Sequence, residues 1–444
     1  MKIDFKNKKI AIIGEGIEGL SSLKYFKDKN IDASVLDITQ GKDYLKDLDK
    51  YDLIVRTPGI KISSLKLDSD KITSQTKLFF DLCPCEIVGV TGTKGKGTTS
   101  SLIFEILKKS GKDAYLVGNI GNPPLDILDK LTPQSVVVFE LSSFQLEDLS
   151  KSPHVAVVLM VTSEHLAPDK KDLPDQNYHE SLEEYINAKR NILRFQNKAD
   201  FAIVNRDYPV SNESDAESQG TVFQVSTEQE VLINGAFARD NALWFKKDNE
   251  EEFIIETSHI FLPGKHNLEN VLPAIIASKI YGISNETIVS VLESFKGLEH
   301  RLELVTEVNG VRYYDDSFST TPETAIAAIK AFSNPEILIL GGASKKSNFK
   351  ELGEVISKAA NVKAIIGIGL EWPRIKQYIS DPKHQMVLVE GAKNMQQIIL
   401  AASKIAKPGD VVLLTPACSS FDMFKNYKER GNQFKEEVLK LQNS

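Results

Sequence analysis

The stretch from Gly89 to Thr99 reads Gly-Val-Thr-Gly-Thr-Lys-Gly-Lys-Gly-Thr-Thr, and its four glycines and two lysines suit it to holding phosphate. In a phosphate-binding loop, backbone N–H groups and a lysine cradle the anion while the next hydroxyl reaches Mg²⁺. The ordinary loop ends Gly-Lys-Ser/Thr. Here Gly97 follows Lys96, so the nearest hydroxyls belong to Thr98 and Thr99. The candidate nucleotide contacts are therefore Gly92, Thr93, Lys94, Gly95, Lys96, Gly97, Thr98 and Thr99, with Lys96 as the point charge for the β- and γ-phosphates. A Gly- and Thr-rich surface turn is the plainer alternative. The flanks argue against it: Glu86-Ile87-Val88 reads as a strand, and Thr98 to Leu107 as a helix whose N-terminus faces the anion.

Such a loop needs an acidic residue for the metal, and Glu140 directly follows the apolar run Val136-Val137-Val138-Phe139. The polar segment after it, Leu141 to Leu146, suits a strand end that lines a site. His165 follows the next apolar run, where a neutral imidazole serves either a metal or the core. Lys189, within Leu182 to Ile192, is by pattern an exposed helix lysine with no role. Asn267 and Asn270 open a further helix after Gly264, where amides cap the helix or read a base edge. Three more polar loops each follow a strand: Tyr314 to Pro322, Gly341 to Lys346, and Thr415 to Asp422. Strand ends of one open sheet converge on one crevice, the expected place for a ligand.

A second glycine motif, Gly14-Glu15-Gly16-Ile17-Glu18-Gly19, lies between the strand Lys9 to Ile13 and a helix from Leu20 to Lys27. The next strand, Ala33 to Leu36, ends in Asp37, completing a dinucleotide-type fingerprint. Alone, that pattern often marks only tight helix-to-strand packing. Asp52 to Val55 is a third strand and leads into the turn Thr57-Pro58-Gly59-Ile60.

These elements define the fold class: α/β, in three domains. Residues 1–87 form a Rossmann-like domain, 88–296 a P-loop domain, and 297–444 a second Rossmann-like α/β domain. In the middle domain, strands at 135–139, 155–159 and 201–204 point to a parallel sheet buried on both faces, and the polar, turn-rich stretch 207–263 to a small β extension. In the last, strands are expected at 311–314, 337–340, 362–366 and 411–414.

A chain of 444 residues is long enough for two to four cores. With 54 basic and 61 acidic residues its net charge is −7, which leaves no electrostatic footprint for nucleic acid or an anionic membrane. No apolar run is long enough to span a bilayer and no leader opens the chain, so a cytoplasmic protein is expected; a monomer is expected as well, though nothing in the sequence bears on it. Of the three cysteines, Cys83 and Cys85 lie one residue apart and lack zinc-site spacing; all three read as reduced and structural.

Taken together, the motifs resemble those of the Mur ligases. The resemblance spans the chain and rests on GVTGTKGKGTTS, GNIG from Gly118, ELSSFQL from Glu140, LPGKHNLEN from Leu262, GLEHRLE from Gly297, DDSFSTTP from Asp315 and TPACSSFDMFKNYKERGNQF from Thr415. The segments ELSSFQLE and PACSSFDMFKNYKERG are most similar to the branch that adds D-glutamate to UDP-N-acetylmuramoyl-L-alanine. The resemblance implies that ATP phosphorylates a substrate carboxylate and that the amine of D-glutamate then attacks the acyl phosphate, in peptidoglycan precursor synthesis. It implies Mg²⁺ held by Thr98, with Thr99 as the alternative, and by Glu140, His165 and Lys189, the lysine as a carbamate, and nucleotide contacts from Asn267, Asn270, Arg301 and Asp316. It assigns the UDP-substrate to Gly16, Ile17, Glu18, Asp37, Thr57, Pro58, Gly59, Asn119 and Ser142, and the amino acid to Thr320, Lys345, Ser420 and Tyr427. The chain departs from the family at Glu164, usually aspartate, at Phe318, where some relatives carry lysine, and at Tyr427, where some carry phenylalanine.

Two other readings compete. A folylpolyglutamate synthetase also places Gly-Lys-Gly before its hydroxyl residue, but lacks the Gly14–Gly19 domain and the PACSSFD segment. A nucleotide-dependent oxidoreductase would use Gly14 to Gly19 and leave the phosphate loop, Glu140 and Arg301 idle.

Overall fold

The computed structural model describes residues 5–41, 43–65, 67–162, 177–344, 347–380 and 386–442. Their contacts divide the chain into two compact units: residues 1–260 with 268–293, and residues 261–267 with 294–444.

The first unit holds two sheets. The first is parallel, with order β2-β1-β3-β4, from β1 (Ile10–Ile13), β2 (Ala33–Leu36), β3 (Leu53–Arg56) and β4 (Ile72–Ser74). The order reverses between β1 and β3, so the crevice beyond their C-terminal ends is where the Gly14 turn, Asp37 and the Thr57 turn meet. Glycine is required at that turn. A Cβ on Gly14 would lie 2.4 Å from Thr57 Oγ1, and one on Gly19 1.9 Å from the Gly14 carbonyl. The following helix runs from Ile17 to Asp28 with Gly16 as its N-cap, three residues earlier than expected from the sequence.

The second sheet contains β5 (Glu86–Thr91), β6 (Ala114–Gly118), β7 (Val136–Glu140), β8 (Val155–Val158), β9 (Phe201–Asn205), β10 (Thr221–Ser226), β11 (Gly235–Arg239), β12 (Ala242–Lys247) and β13 (Glu250–Glu256). Their order is β13-β12-β11-β10-β9-β8-β5-β7-β6. The continuous apolar runs of β5, β7 and β8 are buried on both faces, as a parallel sheet covered by helices requires. The expected β extension continues the sheet rather than standing apart: β10 pairs with β9, and β11 to β13 turn antiparallel at the edge.

The two sheets share apolar packing. Phe79, from the helix Gln75–Leu82, meets Phe139 of β7 edge-on at 5.7 Å, and both rings are fully buried. Burying a phenylalanine contributes about 1.5–3 kcal/mol, and aromatic edge-to-face geometry adds about 0.5–1.5 kcal/mol.

The second unit carries a six-stranded sheet from β14 (Glu303–Val308), β15 (Val311–Asp315), β16 (Glu336–Gly341), β17 (Val362–Ile368), β18 (Val387–Val389) and β19 (Val411–Leu414). The order is β14-β15-β19-β16-β17-β18, and only β14 is antiparallel. The edge strands β14 and β18 were not anticipated; β14 mixes polar and apolar residues, β18 is an apolar stretch of only three residues, and both are half-exposed. Because β15, β19 and β16 are neighbours, the loops after Asp315, Leu414 and Gly341 lie side by side at one sheet edge.

Candidate active site

The phosphate loop joins β5 to the helix Lys96–Lys109. That helix begins two residues earlier than its sequence pattern indicates, so Lys96 is its first residue and Gly97 lies within its first turn. Gly92 and Gly95 take φ of 151° and 87°, conformations that favour glycine. A Cβ on Gly95 would lie 2.2 Å from Asn270 Oδ1, so the loop passes tight against that side chain. Lys96 Nζ donates to the carbonyls of Gly92 and Thr93, both at 3.0 Å, and so curls over the loop it belongs to.

The two threonines differ. Thr99 is fully buried and donates to the Asn270 carbonyl at 3.3 Å, whereas Thr98 is only half-buried in the first turn. Thr93 is engaged as well: its hydroxyl meets Tyr185 Oη at 2.9 Å and accepts from the Thr162 N–H.

Lys189 corrects the pattern-based expectation. It is 3% exposed, and its Nζ donates to the Gly92 carbonyl at 2.9 Å while lying 4.6 Å from the centre of the Tyr185 ring. The helix Leu182–Arg194 turns this face toward the loop because Tyr185, Ala188 and Ile192 are buried on the same side. Glu140, the last residue of β7, is 5% exposed, and β7 pairs with β5 so that Glu140 stands beside Val90. The phosphate loop, Lys189 and Glu140 thus meet at the C-terminal edge of the second sheet. His165 and Lys345 lie outside the described residues.

Several residues assigned to the UDP-substrate have structural partners. Asp37 accepts from the N–H groups of Glu15 and Thr39, which hold its carboxyl below the usual range and tie β2 to the glycine turn. Ser142 caps the helix Ser143–Leu146 in a capping box with Gln145. Gln145 Nε2 donates to Glu18 Oε1 at 2.6 Å, and burial pushes the Glu18 carboxyl up to about 7. Ile17 and Asn119 are exposed, and Thr57, Pro58 and Gly59 form a turn closed by the Ile60 N–H on the Thr57 carbonyl. Asn177 Nδ2 donates to the Pro58 carbonyl.

Within the second unit, Asn267 Nδ2 donates to the Pro263 carbonyl at 2.7 Å, closing the turn that opens its helix. Asp316 is 7% exposed and accepts from Thr415 Oγ1 at 2.9 Å and from the Leu302 N–H; burial pushes its carboxyl up to about 7. The Arg301 guanidinium stacks 3.9 Å from the centre of the Phe318 ring, and Phe318 meets Tyr427 edge-on at 5.1 Å. Phe318, a departure from the family, is thus the platform between two assigned residues. Thr320 is half-buried, and Ser420 is 2% exposed with its carbonyl accepting from Phe424.

Two arginines and a histidine escaped the sequence analysis. Arg430, fully buried, donates to Ser317 Oγ and to the carbonyls of Ser317 and Cys418, stitching two of the polar loops together. Arg56, also fully buried, donates to the Phe144 carbonyl and faces Asp148 at 3.2 Å. His300 Nδ1 lies 2.7 Å from Asp315 Oδ2, one residue before the assigned pair Arg301 and Asp316. Arg56 ends the short strand β3 with no sequence mark of its burial, whereas His300 sits within GLEHRLE and Arg430 within TPACSSFDMFKNYKERGNQF, the segments that offered a signal.

The sheets and the loop define an α/β protein of the P-loop class. Residues 90–278 match the model of the Mur ligase middle domain, and residues 300–418 that of the Mur ligase glutamate ligase domain. The chain belongs to the Mur ligase family. It is 37% identical, over 99% of its length and 98% of the relative's, to the UDP-N-acetylmuramoylalanine--D-glutamate ligase of Acetivibrio thermocellus. To the protein of that name from Clostridium kluyveri it is 38% identical, over 93% of this chain and 87% of the relative. Among solved structures, a MurF ligase from Thermotoga maritima in complex with ADP shares the fold at a TM-score of 0.59 and 18% identity, covering 98% of this chain and 97% of that one. A pseudomurein peptide ligase type C from Methanothermus fervidus does so at 0.60 and 17%, covering 98% and 100%.

Proposed function

We propose that this protein is an ATP-dependent ligase that joins D-glutamate to UDP-N-acetylmuramoyl-L-alanine. The observation that carries this reading is full-length identity of 37% to a ligase of that name, together with a phosphate loop, a strand-end carboxylate and a buried lysine at one sheet edge. An oxidoreductase would leave all three idle.

The chemistry divides into two steps. The substrate carboxylate attacks the γ-phosphorus of ATP, forming an acyl phosphate and releasing ADP. The amine of D-glutamate then attacks the acyl carbon, the amide forms, and phosphate leaves. In the first step, Lys96 and the N–H groups of residues 92–97 neutralise charge on the phosphoryl oxygens. Lys96 can exchange the carbonyls of Gly92 and Thr93 for phosphate oxygens.

The donor set fits a hard cation once Lys189 is carbamylated, because an ammonium cannot ligate and a carbamate can. Thr98, Glu140, His165 and carbamylated Lys189 would hold Mg²⁺, which supplies positive charge against the phosphates. Thr98 is favoured over Thr99, whose hydroxyl is committed to Asn270. Asn267, Asn270, Arg301 and Asp316 are assigned to the nucleotide; Thr320, Lys345, Ser420 and Tyr427 to the amino acid; and the crevice of the first sheet to the UDP moiety. The protein works as a monomer in the cytoplasm; among the described residues no helix is long and apolar enough to cross a membrane.

The deciding experiment measures phosphate release from ATP with UDP-N-acetylmuramoyl-L-alanine and, in turn, D-glutamate, L-glutamate, L-lysine and diaminopimelate. Turnover with D-glutamate alone is expected. Turnover with another amino acid and none with D-glutamate overturns the assignment.

A further inference from the structure

Nothing in the ligase chemistry uses Cys83 or Cys85. Cys83 caps the C-terminus of the helix Gln75–Leu82, Pro84 is exposed, and Cys85 immediately precedes β5. Their Sγ atoms stand 3.5 Å apart and both residues are half-buried, whereas Cys418 is buried. The pair lies in the wall of a cleft of about 440 Å³ that also presents Phe80, Lys151, His154 and Asp200. The cleft is at the N-terminal ends of β5 and β8, the edge of the sheet opposite the phosphate loop.

A disulfide needs Cα atoms roughly 4.4–6.8 Å apart and Sγ atoms about 2.05 Å apart. Two peptide units separate Cys83 and Cys85 and span at most about 7 Å, so the Cα atoms cannot lie far beyond that range. From 3.5 Å, side-chain rotation meets the second condition. The sulfurs are also unequal. The thiol–thiol hydrogen bond, in which either sulfur can be the donor, holds the Cys83 thiol below its ordinary range.

We propose that Cys83-Pro84-Cys85 is a dithiol modification site that takes low-molecular-weight disulfides and closes to an intrachain Cys83–Cys85 bridge. The Cys83 thiolate attacks one sulfur of the small disulfide; a mixed disulfide forms, and the first small thiol leaves with the proton Cys83 gave up. Cys85 then attacks the Cys83 sulfur, the protein bridge forms, and the second small thiol leaves with the Cys85 proton. Two protein thiols are oxidised and one small disulfide is reduced to two thiols. A bridge enclosing a single residue belongs to the labile, reversible kind rather than the structural kind.

The test equilibrates the full-length protein with glutathione buffers of rising disulfide fraction, quenches in acid, alkylates under denaturing conditions and reads intact mass and peptide maps. The expected product has lost two hydrogens, maps to Cys83 and Cys85, keeps Cys418 alkylatable, and reverts when the buffer is made reducing. Cys83→Ala and Cys85→Ala should each stop at a single mixed disulfide. Phenylarsine oxide should bind the unmodified protein in equimolar amount, forming two As–S bonds with loss of water, and should block the bridge. The proposal is overturned by stable mixed disulfides at both cysteines, by a bridge to Cys418, or by no loss of hydrogen in buffers that oxidise a free dithiol.

Discussion

The Lys189 ammonium lies 2.9 Å from the Gly92 carbonyl, although 97 residues separate the two in sequence. A lysine that reads as solvent-facing is therefore a wall of the phosphate loop. Lys189→Ala should lower kcat on the order of 10²–10³-fold, the usual loss when one preorganised electrostatic group is removed. Acetate or formate should restore part of the rate if the lysine acts as a carbamate. Steady-state assays with and without the carboxylate check this, and unchanged activity would show that the lysine only packs.

Thr98 and Thr99 should separate cleanly. Thr99→Ala removes a buried hydrogen bond to Asn270 and should cost about 1 kcal/mol of stability, read as a lower melting temperature. Thr98→Ala should leave melting nearly unchanged and raise the Mg²⁺ concentration needed for half-maximal rate. The reverse pattern would transfer the metal contact to Thr99.

Gly95 has no room for a side chain. Gly95→Ala places a methyl 2.2 Å from Asn270 Oδ1 at φ 87°, so it should lower the melting temperature and weaken ATP binding together. The left-handed conformation alone costs a non-glycine residue about 1–2 kcal/mol. Adding Asn270→Ala should recover part of the stability by removing the clash, as a double-mutant cycle on melting temperature would show.

Arg430 should be indispensable for folding of the second unit. It is fully buried and donates to Ser317 and Cys418, so Arg430→Ala strands several acceptors and should cost about 3–5 kcal/mol in denaturant unfolding. Arg430→Lys should rescue little, because an ammonium cannot reach both loops with a planar fork.

Stability should fall as pH rises through neutrality. Burial raises the Glu18 carboxyl from 4.5 to about 7, so the folded state holds this proton more tightly than the unfolded state does. The stabilisation is complete below about pH 4.5 and is lost as pH passes about 7. Burial pushes Glu147 to about 7 in the same way. Glu18→Gln keeps an acceptor for Gln145 and cannot ionise, so its melting temperature should drop less between pH 5 and 8 than that of the parent protein.

What the chain determines locally was legible without coordinates. The phosphate loop, the glycine turn at Gly14, the inner strands and the polar strand ends each depend on a few consecutive residues whose backbone freedom, apolar periodicity or hydroxyl content is written in order. Tertiary structure decided what depends on distant partners. The burial of Lys189 beside Gly92, the commitment of Thr99 to Asn270, the role of Phe318 between Arg301 and Tyr427, and the interior position of Arg430 are all set by packing. Burial is a property of what covers a residue, and a charged side chain on an amphipathic helix looks the same in sequence whether water or a loop carbonyl lies above it.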